Sequence, residues 1–226
     1  MTLLESQPMR RGALIIVEGL DRAGKSSQCE LLRDQLLTKG HAVEYIRFPD
    51  RTTPIGKLID SYLRNASHQD DHSIHLLFSA NRWELAKHIQ DTVANGTTVI
   101  VDRYSYSGAV YSAAKANPTL SLEWAWQPEV GLPRPDICLF LSISPEEAAK
   151  RGGFGAERYE NETMQSRVRQ LFGTLLDRQR DDVCVIDAGR TVDEVSEEIV
   201  DVAVKCISRL DAIGPLRALG PLEITH

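Results

Sequence analysis

The stretch EGLDRAGKSSQ, residues 18–28, combines glycines, a lysine and a hydroxyl group at a spacing that suits phosphate binding. Its residues Gly19, Gly24, Lys25 and Ser26 match the Walker A pattern Gly-x-x-x-x-Gly-Lys-Ser. Backbone N–H groups at the start of the following helix would face an anion, which the helix dipole favours. Lys25 adds a positive charge near the β- and γ-phosphates, and Ser26 suits a magnesium ion. The alternative is a tight strand-to-helix turn that binds no ligand.

A carboxylate at the end of another apolar run points to the metal side of the same site. The sequence VIVDR places Asp102 there, directly before Arg103. In proteins with this kind of phosphate loop, an acidic residue at a strand end is a candidate magnesium ligand. Asp102 could instead cap the next helix or pair with Arg103, and these roles are compatible with metal binding.

Two stripes at helical spacing predict a second pocket. Phe78 and Arg82 share one helix face, and so do Arg103, Ser107 and Tyr111. An aromatic ring beside a guanidinium suits a planar base, because the ring stacks and the guanidinium donates to a carbonyl. The second stripe runs from cation to hydroxyl to aromatic, which suits a nucleotide whose phosphate lies near Arg103.

A third arginine, Arg51, lies in the loop FPDRTTPIGK after the second apolar run, where a parallel sheet can bind a phosphate. Each pocket residue also has a simpler interpretation. Aromatic residues at helical spacing often belong to a core, and arginines often pair with a nearby glutamate. Together, the stripes and arginines in an acidic chain favour a nucleotide pocket.

Other functions fit the sequence less well. A guanine-specific switch would carry an Asn/Thr-Lys-x-Asp motif, which does not follow the third apolar run, although an ATPase or partner-binding switch stays open. The segment SHQDDHSIH, residues 67–75, has histidines at a spacing known from zinc sites. Its preferred interpretation is the cap of a long helix over residues 73–94, with Asp71 or Ser73 near the N-cap.

Composition is that of an ordinary globular protein. The chain has 226 residues, of which 42% are hydrophobic and 26% charged, and its net charge of -6 argues against a nucleic-acid binder. The four cysteines form no C-x-x-C pair and indicate reduced thiols, as in the cytoplasm. Neither a signal peptide nor a membrane-spanning run is recognisable, so we expect no membrane partner, and nuclear presence is left open.

The predicted fold is an α/β three-layer sandwich of the P-loop NTPase type, with a five-stranded parallel sheet flanked by helices. Nearly continuous apolar runs predict strands at 13–18, 42–48, 98–102, 137–143 and 183–188. Helical spacing predicts helices at 25–38, 73–94, 158–180 and 191–210. We expect one domain over residues 12–210, a flexible N-terminus at 1–11, a C-terminal tail at 211–226 and a short lid at 151–157.

Residues 12–210 resemble thymidylate kinases of the eukaryotic type. The resemblance rests on the stretches EGLDRAGKSSQ, FPDRTTPIGKLIDSYL, DDHSIHLLFSANRWE, VDRYSYSGAVYSAAK, QPEVGLPRPD and AKRGGFGAERYE, which occur in order. It implies an enzyme of dTTP biosynthesis that moves the γ-phosphoryl group of ATP to dTMP with magnesium, giving dTDP and ADP. It also implies a homodimer that packs through helices including the long one at 73–94.

The resemblance implies four groups of site residues. The catalytic residues would be Asp21, Arg22, Lys25 and Arg103. The dTMP-binding residues would be Asp21, Phe48, Arg51, Phe78, Arg82, Arg103, Ser107, Tyr111, Tyr159 and Gln165. The ATP-binding residues would be Gly19, Ala23, Gly24, Lys25, Ser26, Ser27, Arg151 and Gly189. The magnesium ligands would be Ser26 and Asp102.

Several of these roles are specific. Arg51 and Arg103 would bind the dTMP phosphate, Phe78 would stack on thymine, and Arg82 would donate to a base carbonyl. Arg22 would reach the transferred phosphoryl group.

The remaining roles concern the sugar. Asp21 would face it, and Ser107 and Tyr111 would line the base and sugar pocket, where Tyr111 also disfavours a 2′-hydroxyl. Tyr159 and Gln165 would close over it.

Departures from the family pattern are modest. The lid core GGFGAE carries no Lys or Arg, which agrees with a catalytic cation in the phosphate loop. Position 27 is Ser where Thr is common, and the tail DAIGPLRALGPLEITH has no recognised counterpart.

The nearest alternative to a thymidylate kinase is a deoxynucleoside kinase. Such an enzyme would phosphorylate a 5′-hydroxyl and need a general base there in place of two phosphate-binding arginines.

Overall fold

A computed structural model describes residues 10–151, 158–159, 161–178 and 182–222 of the protein. Its centre is a five-stranded sheet in the order β2-β3-β1-β4-β5 with parallel pairing throughout, as predicted. The strands are β1 Leu14–Gly19, β2 Val43–Arg47, β3 Thr98–Asp102, β4 Ile137–Ser142 and β5 Val183–Asp187. The three inner strands are almost wholly buried, because helices cover both faces of the sheet.

The described helices flank this sheet. They are α1 Lys25–Thr38, α2 Pro54–Leu63, α3 Asp71–Ala94, α4 Ser105–Ala113, α5 Leu122–Trp126, α6 Pro145–Lys150, α7 Glu162–Arg178, α8 Val192–Ser208 and α9 Leu210–Ile213. A short 3₁₀ helix, Gln127–Glu129, follows α5. The predicted bounds of α1 agree with the structure, α7 begins later than predicted, and α8 is shorter than predicted at both ends.

Helix α3 begins earlier than the predicted 73–94, because Asp70 is its N-cap. The Asp70 carboxylate accepts hydrogen bonds from the N–H groups of His72 and Ser73, at 2.9 and 3.2 Å. These bonds satisfy donors that a helix start leaves unpaired. The cap is therefore Asp70, one residue before the predicted Asp71.

The order β3-β1-β4 brings the carboxyl ends of three buried strands together at one edge of the sheet. Gly19, Asp102 and Ser142 end these strands. The phosphate loop leaves β1 at this edge, and α4 begins just beyond β3. A parallel sheet binds ligands at this edge, so the topology alone places the phosphate loop beside the start of α4.

The described part of the predicted tail packs on the domain. Leu219 and Leu222 are buried, and the N–H of Leu219 donates to the Leu132 carbonyl at 2.8 Å. Trp126 adds a bond from its indole N–H to the Gly220 carbonyl at 2.9 Å. At the other end of the chain, Arg11 makes a bidentate pair with Asp136, at 2.8 and 2.7 Å. Residues 1–9, 223–226 and the predicted lid core at 152–157 lie outside the described residues.

Candidate active site

The phosphate loop joins β1 to α1 through two glycines with positive φ. Gly19 has φ 142°, and a Cβ there would lie 2.3 Å from the Leu141 carbonyl oxygen, so no side chain fits. Gly24 has φ 88° and forms the N-cap of α1, where a left-handed backbone favours glycine. The loop therefore presents backbone and not side chains at the helix N-terminus, as the motif predicts.

Lys25 is folded back over this loop. Its Nζ donates to the carbonyl oxygens of Gly19 and Leu20, at 3.0 and 2.8 Å. Burial, together with the nearby charge of Arg103, lowers the pKa of Lys25 to about 8, while Asp21 acts in the opposite direction. A buried ammonium with only carbonyl partners is suited to receive an anion.

Asp21 connects the phosphate loop to the segment before α4 and to α7. Arg103 donates from Nη2 to one carboxylate oxygen at 2.6 Å, and Gln165 donates from Nε2 to the other at 2.7 Å. Burial alone would raise the pKa of Asp21, but the charges of Arg103 and Lys25 outweigh it and bring this pKa to about 2. Asp21 is therefore ionised at neutral pH and holds Arg103 beside the loop.

Asp102 has one oxygen engaged and one available. Its Oδ2 accepts from the Ser26 hydroxyl at 2.6 Å and from the Tyr45 hydroxyl at 3.2 Å. Its Oδ1 is buried and has no hydrogen-bond partner among the described residues. The predicted pairing alternative with Arg103 is wrong, since Arg103 turns to Asp21, and Arg47 lies 3.6 Å from Asp102 instead.

The start of α4 is held by a residue that the sequence analysis missed. Glu18, fully buried at the end of β1, accepts from the N–H groups of Tyr104 and Ser107 at 2.8 and 3.0 Å. The Ser107 hydroxyl also donates to Glu18. This carboxylate does what the helix cap alternative assigned to Asp102, and that alternative is therefore wrong. An acidic residue inside an apolar strand was the available signal.

A single cavity next to the phosphate loop brings the predicted acceptor residues together. All of these residues except Gln165 line the cavity. The lining residues are Asp21, Phe48, Arg51, Phe78, Arg82, Arg103, Ser107, Tyr111 and Tyr159. They come from the phosphate loop, the segment after β2, helix α3, the segment between β3 and α4, helix α4, and the segment before α7. Residues of both predicted stripes therefore face the same space, although Arg103 precedes α4 and does not lie on the helix as predicted.

The cavity wall has a cationic end and an aromatic side. Arg51 donates from Nη1 to Asp60 at 2.6 Å and is about one-third exposed. Arg103 lies over the Tyr111 ring, 5.6 Å from its centroid, and the Tyr111 and Tyr159 rings are 5.8 Å apart. This arrangement suits a ligand with an anionic end and a planar end.

Arg82 stands apart from the other three arginines of the cavity wall, Arg47, Arg51 and Arg103, because it is almost fully buried. It forms a bidentate ion pair with Glu129, which is fully buried, at 2.7 and 2.6 Å. Phe78, one turn earlier on α3, is half-buried in the same wall. The predicted ring and guanidinium therefore do share a face of the cavity.

On the other side of the loop, Arg151 joins the phosphate loop to the segment after β5. Its Nη1 donates to the Arg22 carbonyl at 3.0 Å, and its Nη2 donates to the Ala188 carbonyl at 2.6 Å. Gly189 follows directly and donates to Asp187 at 2.9 Å. These predicted ATP contacts lie together outside the acceptor cavity.

Arg22 lies within the loop and has a left-handed backbone, with φ 66°. Its Nη1 donates to the carbonyl oxygen of Ala148, in α6, at 3.0 Å. The guanidinium is thereby held between the phosphate loop and the helix that leads to Arg151. Ala23 is buried in the loop, whereas Ser27 is exposed on the first turn of α1.

The histidine-rich segment does not converge on a metal. His75 points inward, with Nδ1 2.7 Å from the Ser112 hydroxyl, and burial lowers its pKa to about 3. His72 instead has Nε2 3.3 Å from the Thr119 carbonyl. Within the described part of the chain, no group of three or more His, Cys, Asp or Glu side chains could hold a metal ion. Nor is any helix there long and apolar enough to cross a bilayer.

Comparisons with known proteins agree on one family. A family model described as Thymidylate kinase matches residues 17–199. The thymidylate kinase of Danio rerio is 48% identical over 199 residues, which cover 88% of this chain and 93% of that protein. That of Homo sapiens is 49% identical over 190 residues, covering 84% and 89%. A solved thymidylate kinase structure from Candida albicans has a TM-score of 0.80 at 38% identity and covers 93% of this chain and 99% of that one.

Proposed function

The chain belongs to the thymidylate kinase family and transfers the γ-phosphoryl group of ATP to dTMP, giving dTDP and ADP, and on this premise we propose that the cavity beside its phosphate loop is the dTMP site. The observation that carries the proposal is the position of Asp21. It belongs to the phosphate loop, it lines the cavity, and it is bonded to Arg103 at 2.6 Å. Donor and acceptor phosphates would therefore meet across one residue. Comparison of dTMP with thymidine as acceptors tests this proposal.

The acceptor phosphate would lie at the cationic end of the cavity, between Arg51 and Arg103. Both side chains are partly exposed there, and each is already oriented by a carboxylate. The base would lie between Phe78 and the α4 wall, with Arg82 donating to a carbonyl. Tyr159 and Gln165 would enclose the sugar, since Gln165 shares Asp21 with Arg103 and its amide also donates to the Tyr159 carbonyl at 3.1 Å.

Serine 107 would take a narrower role than its predicted one. It lines the cavity, yet its hydroxyl group donates its hydrogen bond to Glu18. The hydroxyl oxygen then faces a ligand only as an acceptor. Tyr111, one turn later, presents the ring that would crowd a 2′-hydroxyl on the sugar.

ATP would bind on the phosphate loop. The N–H groups of the loop would face its phosphates, Lys25 would exchange its carbonyl partners for phosphate oxygens, and Arg151 with Gly189 would meet the nucleoside. Arg22 would act on the phosphoryl group in transit. Phosphoryl transfer depends on the alignment of two polyanions more than on covalent chemistry by the protein. These cations would therefore supply most of the catalysis by positioning the phosphates and stabilising their charge.

The residues that would hold magnesium fit a hard cation. The Ser26 hydroxyl and the buried Oδ1 of Asp102, which has no hydrogen-bond partner among the described residues, are oxygen ligands of the kind that Mg²⁺ prefers. Tyr45 and Ser26 fix the other carboxylate oxygen, so the available one is pre-oriented. When bound, magnesium would neutralise part of the charge on the phosphates of ATP.

We also propose a homodimer that packs through α3. Leu76 and Trp83 lie two turns apart on this helix, with exposed fractions of 47% and 43%. Their spacing of seven residues puts them on the same face, and large exposed apolar side chains often mark a protein interface.

Leu76→Asp is expected to convert the dimer to a monomer, because a carboxylate buried without a partner opposes association. Sedimentation velocity on the wild type and the variant measures the change. Leu37→Asp is the control, since Leu37 is 48% exposed but lies on α1. A wild-type protein that sediments as a monomer, or a Leu76→Asp variant that remains dimeric, would contradict the proposed interface.

The compartment we propose is the reducing cytoplasm. All four cysteines are free thiols, and Cys29, Cys138 and Cys206 are buried. Burial raises the pKa of each of these buried thiols, so they are poorly reactive.

A further inference from the structure

We propose that Glu129 and Gly108 are positioning residues that fix the guanidinium of Arg82 and thereby set the preference for a pyrimidine with a carbonyl group over one with an exocyclic amino group. This inference rests on the proposed role of Arg82 as the base-reading residue. Glu129 lies in the 3₁₀ helix after α5, Gly108 in α4 and Arg82 in α3. Three separate elements therefore meet at one side chain.

Glu129 holds one edge of the guanidinium. Its two oxygens accept from Nε at 2.7 Å and from Nη2 at 2.6 Å, so that the carboxylate and the guanidinium lie side by side. An arginine has five N–H donors in a rigid plane. This pairing uses two of the five and leaves three away from the carboxylate, two on Nη1 and one on Nη2, and both Arg82 and Gly108 line the cavity.

Gly108 holds the face of the same group. A Cβ at this position would lie 2.4 Å from Nη2, 2.8 Å from Cζ and 2.9 Å from Nη1 of Arg82. All three distances are shorter than a van der Waals contact, so the guanidinium plane rests directly on the α4 backbone. Any side chain at position 108 would push it away. Glycine is needed here for close approach and not for an unusual backbone angle.

The contacts of Glu129 with the edge and of Gly108 with the face of the guanidinium together restrict the rotation that an arginine side chain normally keeps. Arg82 is 3% exposed and Glu129 is 0% exposed, so neither charge can exchange its partner for water. A guanidinium fixed in this way offers only donors to the cavity. It therefore accepts a carbonyl on the base and opposes an amino group, which would place donor against donor.

The test measures kcat/KM for dTMP and for dCMP in two variants, Gly108→Ala and Glu129→Gln. We expect the dTMP-to-dCMP ratio to fall at least about tenfold in each, mainly through a higher KM for dTMP, as for a misplaced charge-assisted hydrogen bond. The KM for ATP should change little. A merely structural defect would lower kcat with both acceptors and leave their ratio unchanged.

Matched controls separate positioning from general damage. Gly173→Ala adds a methyl group to α7 where nothing lies within 4 Å. Asp91→Asn removes an exposed carboxylate paired with Lys87 at the far end of α3. Both should keep the wild-type ratio, and Glu129→Asp, which retains the carboxylate, should keep most of it.

A third variant, Arg82→Met, distinguishes an error in the positioning inference from an error in the base-reading role of Arg82. In Arg82→Met, the acceptor ratio should collapse, and adding Glu129→Gln should change it no further, because Glu129 acts through Arg82. If Arg82→Met loses selectivity but Gly108→Ala and Glu129→Gln keep it, the positioning inference alone is overturned. If Arg82→Met keeps selectivity, the base-reading role itself falls. Should Glu129→Gln not fold, Gly108→Ala decides the question.

Discussion

Replacing Arg22 with alanine is expected to lower kcat by roughly 10²–10⁴-fold while leaving the KM values for ATP and dTMP within about fivefold of the wild type. The asymmetry follows from when the contact is made. A cation that meets the phosphoryl group only in transit stabilises the transition state and not the bound substrates. Initial rates over a matrix of ATP and dTMP concentrations give both quantities.

The geometry indicates that Arg22→Ala removes the guanidinium without disturbing the backbone of the loop. Arg22 has φ 66°, and alanine carries the same Cβ, so the backbone strain is unchanged. The guanidinium donates to the Ala148 carbonyl at 3.0 Å, close to Arg151 and between the loop and α6. Its removal therefore takes a charge from the donor side of the site without touching the acceptor cavity.

Arg33→Ala is the control, because Arg33 lies on α1, pairs with the neighbouring Asp34 and is about one-third exposed. It should have normal kinetics. Turnover near the wild-type value in Arg22→Ala would refute the catalytic role. An increase in KM with unchanged kcat would instead make Arg22 a binding residue.

The second large effect is expected from Asp102→Asn. The change keeps the shape of the side chain but removes its charge, and a neutral amide is a poorer magnesium ligand than a carboxylate. We expect kcat/KM at limiting Mg²⁺ to fall about 10²-fold and the Mg²⁺ concentration for half-maximal rate to rise at least about tenfold. Excess Mg²⁺ should restore part of the rate. A titration of initial rate against free Mg²⁺ at fixed ATP gives these values.

The structural basis is the division between the two oxygens of Asp102. Oδ2 accepts from Ser26 and Tyr45, whereas Oδ1 is buried and lacks a partner in the described region. Asp34→Asn, on the exposed end of α1, is the matched acid-to-amide control. An unchanged Mg²⁺ requirement in Asp102→Asn would contradict the proposed metal site and leave Asp102 as a scaffold for Ser26.

Local patterns explain why much of this site was predictable. Apolar runs and the glycine-rich loop depend on neighbouring residues, so strands β1 and β3 and the turn at Gly24 follow from sequence. The four-residue spacings of Phe78 with Arg82 and of Ser107 with Tyr111 were enough to place each pair on one helix face. Arg103, which was predicted on the second stripe, precedes α4 and reaches the cavity from a left-handed backbone instead. The structure confirms that residues of both stripes line one cavity.

Contacts between distant segments were not predictable in this way. Glu129 is 47 residues from Arg82, and Gln165 is 144 residues from Asp21. No periodic pattern links such pairs, since they depend on how helices cross over the sheet. Family resemblance, and not spacing, pointed to Tyr159 and Gln165.

The partners of Arg103 and Asp102, which differ from the predicted Asp102–Arg103 pair, show the same limit. The two residues are adjacent in sequence, yet the left-handed backbone at Arg103, with φ 65°, sends its side chain to Asp21. Asp102 keeps Arg47, at the end of the neighbouring strand, within 3.6 Å instead. A single backbone angle, invisible in the sequence, decides which side of the site each charge serves.

The most direct test of the account is ADP release with ATP and Mg²⁺ in the presence of dTMP, dUMP, dCMP, dGMP, UMP or thymidine. If the cavity beside the phosphate loop holds an acceptor phosphate between Arg51 and Arg103, dTMP stimulates release strongly, dUMP stimulates it less, and thymidine does not stimulate it. Strong stimulation by thymidine, which lacks the 5′-phosphate, would contradict this account and deprive both arginines of their proposed role.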